Sequence, residues 1–394
     1  PLISNEMRVP FIKNFDLQLA ARYEDFSDIG SKSVPKISFG WQVDDSFYFR
    51  GSWSKGFRVP NLVQVNETIV SRQIFGVDAL LCLQQINNNG EIDYCDYSFQ
   101  RVARGSKNLR PEESTNISLG IIYEPKNIDN LVFTIDWWEI EKEDTIGLFG
   151  EDNILLSDLV LRMETNNISD CSLVQSSPYV FRDSLEENEI QEYLQAGICP
   201  AGRVTRVEEQ YRNLDTRIIS GFDFSARYFV RNNFGNFNFI LNIAKLEKFR
   251  QEAGNDFIKL IDAQEKGVIP QELAITGFSN LIEKDGSPKI QASFKFLWNK
   301  GPWGLGLFGR HIGEFYETRN KLRDGRLWKV RAYNTINTFI DYNFKISESQ
   351  SSLRFGINNI ADERAPLASD IFGYYIDKHD NIGRSYYINF MHRF

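Results

Sequence analysis

No run of about 18 apolar residues, the length a helix needs to cross a bilayer, occurs anywhere in the 394 residues. That excludes a transmembrane helix but not a membrane barrel, whose strands hide their apolarity in alternation. His and Met number 3 each, and the four Cys show no CxxC spacing, which gives a zinc centre little to build on. Positive charge is also short: Lys+Arg is 45 against Asp+Glu 53, a net charge of −8. Nucleic acid is therefore excluded as the main partner. There is no phosphate-binding Gly-rich loop, no GxSxG elbow and no HExxH. In GSWSKG (51–56), Trp53 stands where a nucleophilic serine is required. No catalytic residue, metal or cofactor is assigned, and an enzyme is not expected. The chain opens on Pro1 without Met or a signal peptide, and is expected to be part of a longer polypeptide.

What is present is period-2 alternation. Phe15, Leu17, Leu19, Ala21 and Tyr23 share one face, as do Ile37, Phe39, Trp41 and Val43. The pattern recurs at Leu131, Phe133, Ile135 and Trp137, at Phe237, Phe239, Leu241 and Ile243, and at Ile290, Ala292, Phe294, Phe296 and Trp298. It closes the chain in SYYINFMHRF, with Tyr386, Ile388, Phe390, His392 and Phe394 on one face. About twelve strands are expected, many of roughly 9–11 residues, the length of a tilted bilayer-spanning strand. Ordinary globular strands are nearer 5–6. Short turns (43–46, 125–130, 231–236, 299–302, 346–350) alternate with long polar connections (58–111, 147–203, 251–287, 312–332, 362–384). An outer-membrane barrel puts tight turns at the periplasmic rim and long loops outside. Aromatics near strand ends, such as Trp41, Trp137, Trp298, Trp303 and Tyr342, suit interfacial girdles. The fold expected is all-β: an antiparallel transmembrane β-barrel. Phe39, Phe133, Leu241 and Phe294 then face lipid, and Ser38, Thr134 and Ser293 the lumen. Phe390 and Phe394 are expected to serve barrel assembly, because the last strand must close against another so that no edge remains.

Cys82 and Cys95 lie in one long connection, and Cys171 and Cys199 in another. Two disulfides are expected, hence an oxidising compartment, with metal as the rival reading. Pairing within each connection needs only that the connection folds on itself.

Four stretches carry a family resemblance. Residues 19–62 resemble the mid-barrel segment of TonB-dependent outer-membrane receptors. SKNLRPEEST (106–115) resembles that family's N-x-x-L-K-P-E-x-S motif, matching at Leu109, Pro111, Glu112 and Ser114, with Arg110 standing for Lys. INNIADERAP (357–366) resembles its penultimate-strand motif, and GRSYYINFMHRF (383–394) its last strand. The resemblance implies a barrel of about 22 strands with a plugged lumen, of which residues 1–394 supply the C-terminal part. It implies TonB-energised uptake across the outer membrane of a Gram-negative bacterium. The ligand is then a ferric siderophore, another chelate or a carbohydrate. The family's plug and TonB box are not recognisable in residues 1–394, so contact with the TonB complex is expected through a region upstream. The other implied partners are outer-membrane lipid and the barrel-assembly machinery.

By position on loops and lumen faces, Arg50, Arg58, Arg101, Arg104, Arg310, Tyr316, Tyr374 and Tyr375 are the candidate ligand-binding groups. Arginine suits anionic chelates through paired hydrogen bonds, and aromatics suit sugars or catecholates by stacking. The plainer reading is that lumen arginines merely pair with lumen carboxylates such as Asp136 and Asp341. Two other functions stay open: a passive porin or surface-binding barrel without energised transport, and a secreted β-sandwich or carbohydrate-binding enzyme.

Overall fold

The computed structural model describes residues 2–8, 14–26, 30–66, 69–92, 95–321, 326–370 and 372–393. Phe394 lies outside the described residues. Among these residues, thirteen long strands run in chain order through one antiparallel sheet. They are β1 (Leu2–Arg8), β2 (Phe15–Phe26), β3 (Gly30–Gln42), β4 (Phe47–Arg58), β5 (Glu112–Tyr123), β6 (Leu131–Glu143) and β7 (Arg217–Asn232). The rest are β8 (Gly235–Gln251), β9 (Ile290–Lys300), β10 (Trp303–Ile312), β11 (Tyr333–Ile346), β12 (Ser349–Asn358) and β13 (Ser385–His392). The two-residue strand Ser279–Asn280 adds to the upper end of β8. The sheet is not closed: β13 pairs with β12 alone and β1 with β2 alone. The expected closure of the last strand is therefore not seen in the described residues.

Register puts the two kinds of residue on opposite faces. Phe133, Ala226, Leu241, Phe294, Gly309 and Ile336 form one cross-strand row. The adjacent row, on the other face, is Thr134, Ser225, Asn242, Ser293, Arg310 and Thr335. Large apolar side chains on the first face stand bare: Leu119 is 51% exposed and Ile388 74%. In water such a surface is a liability, whereas in lipid it is the required one. Along the short-turn edge, aromatics on this face touch in series: Phe47 with Tyr123 (4.7 Å), Trp303 with Tyr342 (4.7 Å) and Phe344 with Phe390 (6.5 Å).

From β3 onward the turns 43–46, 124–130, 233–234, 301–302 and 347–348 fall on one edge. The connections 59–111, 144–216, 252–289, 313–332 and 359–384 fall on the other. These long connections are folded bodies, not the floppy loops that their polar composition suggests. The first three share one apolar core built on Leu80, Phe99, Leu155, Leu159, Val207 and Leu260. A second sheet runs through it in the order Val180–Arg182, Val204–Gln210, Asp96–Arg104, Ile69–Val77. Its middle pair is parallel, from Arg206 opposite Gln100 to Gln210 opposite Arg104. Helices Ala79–Asn89, Glu151–Glu164, Glu187–Gln195 and Asn255–Glu265 complete the body. The first has clear local causes: Asp78 caps its N-terminus by accepting from the Leu80 N–H, and Gly90 ends it at φ 74.

Both disulfides form within their own connections, as expected: Cys82–Cys95 with Cα atoms 5.2 Å apart, and Cys171–Cys199 at 5.5 Å.

Candidate functional site

The polar face of β6–β10 carries a cavity of about 500 Å³. Its polar lining comes from Asp136, Asp223, Asn242, Gln291, Ser293 and Arg310. Each projects from the polar register of its strand, so strand alternation alone places them together. Asp136 is held by Arg50 through two hydrogen bonds, Nε–Oδ1 at 2.9 Å and Nη2–Oδ2 at 2.6 Å. Asp223 and Arg310 are exposed on the wall, and neither has an ion-pair partner among the described residues. The wall thus offers one free carboxylate, one free guanidinium and a set of neutral hydrogen-bonding groups. A free guanidinium can take a carboxylate, phenolate or hydroxamate oxygen pair in fork geometry.

The other expected arginines are occupied. Arg58 grips Glu112 with two bonds of 2.6 Å each, and Glu112 also accepts from the Ile146 N–H at 2.7 Å. This ties the end of β4 to the start of β5 and to the connection above. Arg101 pairs with Glu209 and, at 3.2 Å, with Glu151, inside the folded body. Burial pushes the Glu209 carboxyl up, against the pull of Arg101. Arg104 grips Glu208 at 2.9 and 3.1 Å. A parallel pair, Arg354 with Asp341, lies lower on the polar face.

The tyrosines gather on a second outer cluster, made by the hairpin of strands Phe315–Lys321 and Leu327–Val330 with connection 359–384. Tyr316 lies under the Lys329 ammonium, 5.9 Å from its ring centre. Tyr375 packs its edge on Phe315 at 4.9 Å, and burial followed by the Glu317 charge holds its phenol above the ordinary range. Tyr374 is half-buried on the same connection. The structure therefore brings the candidates into three places, not one.

Sequence reasoning missed an ion network inside the folded body. Arg182 donates to Asp78 at 2.8 and 3.0 Å and reaches Asp158 at 3.3 Å. Tyr97 donates to Asp78 at 2.8 Å. Burial pushes the Asp78 carboxyl up, but Arg182 and these hydrogen bonds win and leave it below its ordinary value. No signal in the sequence singles these out, because the central pair, Arg182 with Asp78, lies about a hundred residues apart. Asp223 was findable as a polar-parity residue opposite Asp136.

A family model described as "TonB dependent receptor-like, beta-barrel" matches residues 6–360. A probable TonB-dependent siderophore receptor, PirA of Acinetobacter baumannii, is 26% identical over 131 residues, 33% of this chain and 15% of that protein. The crystal structure of PirA from Acinetobacter baumannii superposes with a TM-score of 0.58 at 18% identity, covering 98% of this chain and 44% of that one. A mutant of the ferric enterobactin receptor PfeA of Pseudomonas aeruginosa gives 0.56 at 14%, with the same coverage of each chain. The chain thus spans less than half the length of these solved structures. At such identities they show the fold.

Proposed function

This chain belongs to the TonB dependent receptor-like β-barrel family of Gram-negative outer membranes, and from that premise we propose that it is the ligand-conducting wall of a ferric-siderophore receptor. Arg310 carries the reading. It is the cavity-wall guanidinium that no carboxylate neutralises among the described residues, so it can meet an anionic chelate directly. Asn242, Gln291 and Ser293 supply the surrounding donors and acceptors. Arg50, already spent on Asp136, stiffens the wall. The folded body and the outer hairpin cluster form the outer mouth, with Tyr316, Tyr374 and Tyr375 offering aromatic contact. Energy enters through TonB and a plug in the same reading. Membrane lipid and the barrel-assembly machinery are further partners of the barrel.

The test is uptake of radiolabelled iron chelates by cells whose only receptor is the full-length protein containing this chain. Saturable uptake that stops when the proton-motive force is collapsed supports the proposal. Arg310→Ala should then weaken chelate binding by about ten- to a hundredfold, the loss of a charge-assisted hydrogen bond of roughly 1.5–3 kcal/mol. Passive, non-saturable passage of small sugars with no chelate binding would instead favour a porin.

A further inference from the structure

His379 lies on connection 359–384 and is 4% exposed. Its ring is parallel to Phe315, with centroids 6.0 Å apart and planes 4° apart, and meets Tyr333 edge-on at 5.3 Å. Phe315 belongs to the outer hairpin and Tyr333 opens β11, so the ring is clamped between two separate elements. Among the described residues, neither of its ring nitrogens has a hydrogen-bond partner. Buried polar side chains are nearly always bonded, and this one is held by packing alone.

The charges around it are unfavourable to a proton. Arg310 from β10 and Lys378 from its own connection act on it as like charges. Glu317, two residues along from Phe315, gives one oxygen to the Ser369 N–H at 2.9 Å and faces Tyr375. Asp380 accepts from the Ile382 N–H at 2.8 Å, and its carbonyl takes the Tyr333 hydroxyl at 2.7 Å. Neither carboxylate is bonded to His379.

We propose that His379 is a proton-sensitive pin: the neutral ring locks connection 359–384 against the outer hairpin and β11, and gain of a proton releases that connection beside the Arg310 side of the cavity. An imidazolium in this position is buried, unpartnered and flanked by two cations. Its desolvation is relieved only when the ring swings out to water, and the connection moves with it. The direction follows from linkage. Burial, then Arg310 and Lys378, hold the docked ring below its ordinary 6.5. The released state binds the proton more readily. Docking is therefore fully stable above about pH 6.5 and weakens as pH falls towards the docked value, by up to about tenfold per pH unit for one proton. That release exposes Arg310 to ligand rests on the proposed function, whereas the pin itself does not.

The test is hydrogen–deuterium exchange of the full-length, ligand-free receptor at about pH 7.5 and pH 5.5, corrected for intrinsic exchange. In the wild type, amides of connection 359–384 should open several-fold more at the lower pH. His379→Phe keeps an aromatic ring that cannot titrate, and should stay protected at both. Tyr333→Phe loses the bond to Asp380 and should open more at both, keeping the pH step. A wild type with no step, or a step that survives in His379→Phe, overturns the proposal. Should His379→Phe fail to assemble, exchange at the imidazole C2 proton of the wild type measures the ring's own titration. A midpoint at or above 6.5 also overturns the pin. All these measurements omit ligand, so failure of the transport proposal leaves them standing.

Discussion

Arg50 reaches Asp136 across an intervening strand. β5 runs between β4 and β6, and the residue it places in the row is Gly120. A Cβ there would sit 2.0 Å from the Asp136 carboxylate and 2.9 Å from the Arg50 guanidinium, so only glycine leaves the path open.

Gly120→Val should therefore separate the pair while leaving both charges in place. Because both side chains are partly solvated, the expected cost is only about 1–2 kcal/mol for the lost charge-assisted bonds, plus steric strain. Equilibrium urea unfolding in lipid vesicles measures it. A variant as stable as the wild type would show that the pair contributes nothing.

Lipid exposure makes the two faces respond differently to the same substitution. Arginine at Leu241 or Phe294 should cost about 2–4 kcal/mol near the bilayer midplane, as should arginine at Phe39 or Phe133. Arginine at Ser293, one residue away on the polar row, should be nearly neutral. Equal responses at Phe294 and Ser293 would contradict the assignment of faces.

The disulfides should matter to the outer body and not to the barrel. Cys82→Ser with Cys95→Ser should destabilise that body by about 2–4 kcal/mol. Proteolysis should then cut within 59–111 while the membrane-spanning strands remain protected. Non-reducing peptide mapping checks the pairing itself.

Removing one partner of the buried network should be costly. Arg182→Met leaves Asp78 without its cation and Asp158 with Arg162 alone, both carboxylates fully buried. About 3–5 kcal/mol of the outer body's stability should be lost. The wild type should also weaken in acid. Asp78 sits below its ordinary 3.8 in the folded state, so its contribution is complete above that value and is lost as pH falls through the lowered one. Limited proteolysis along a pH series distinguishes this from global unfolding.

Strand alternation made the barrel legible, because lipid on one side and water on the other force a strict period of two. Phe133 with Thr134 and Phe294 with Ser293 were assigned to opposite faces from that period, and register places them so. The disulfides were legible because each pair is local. Arg310 and Arg50 were marked alike as lumen arginines. The sequence could not tell the free one from the paired one, since the Arg50 pairing depends on Gly120 from the neighbouring strand. The outer body was the largest surprise. Its core joins Leu80, Leu155 and Leu260 from separate connections, so no single connection shows it whole. His379 was equally hidden, as its burial depends on Phe315 and Tyr333 arriving from elsewhere.

The parallel pairing of 100–104 with 206–210 sets an order on assembly. Those two segments lie roughly a hundred residues apart, and β5 and β6 intervene between them. Each disulfide can close while its connection is still a free chain. The shared core cannot form until β4 to β9 have stood side by side and brought three connections to one rim. The outer body is thus the last part to consolidate. A chain halted before its strands pair would carry closed disulfides and an unfinished outer body.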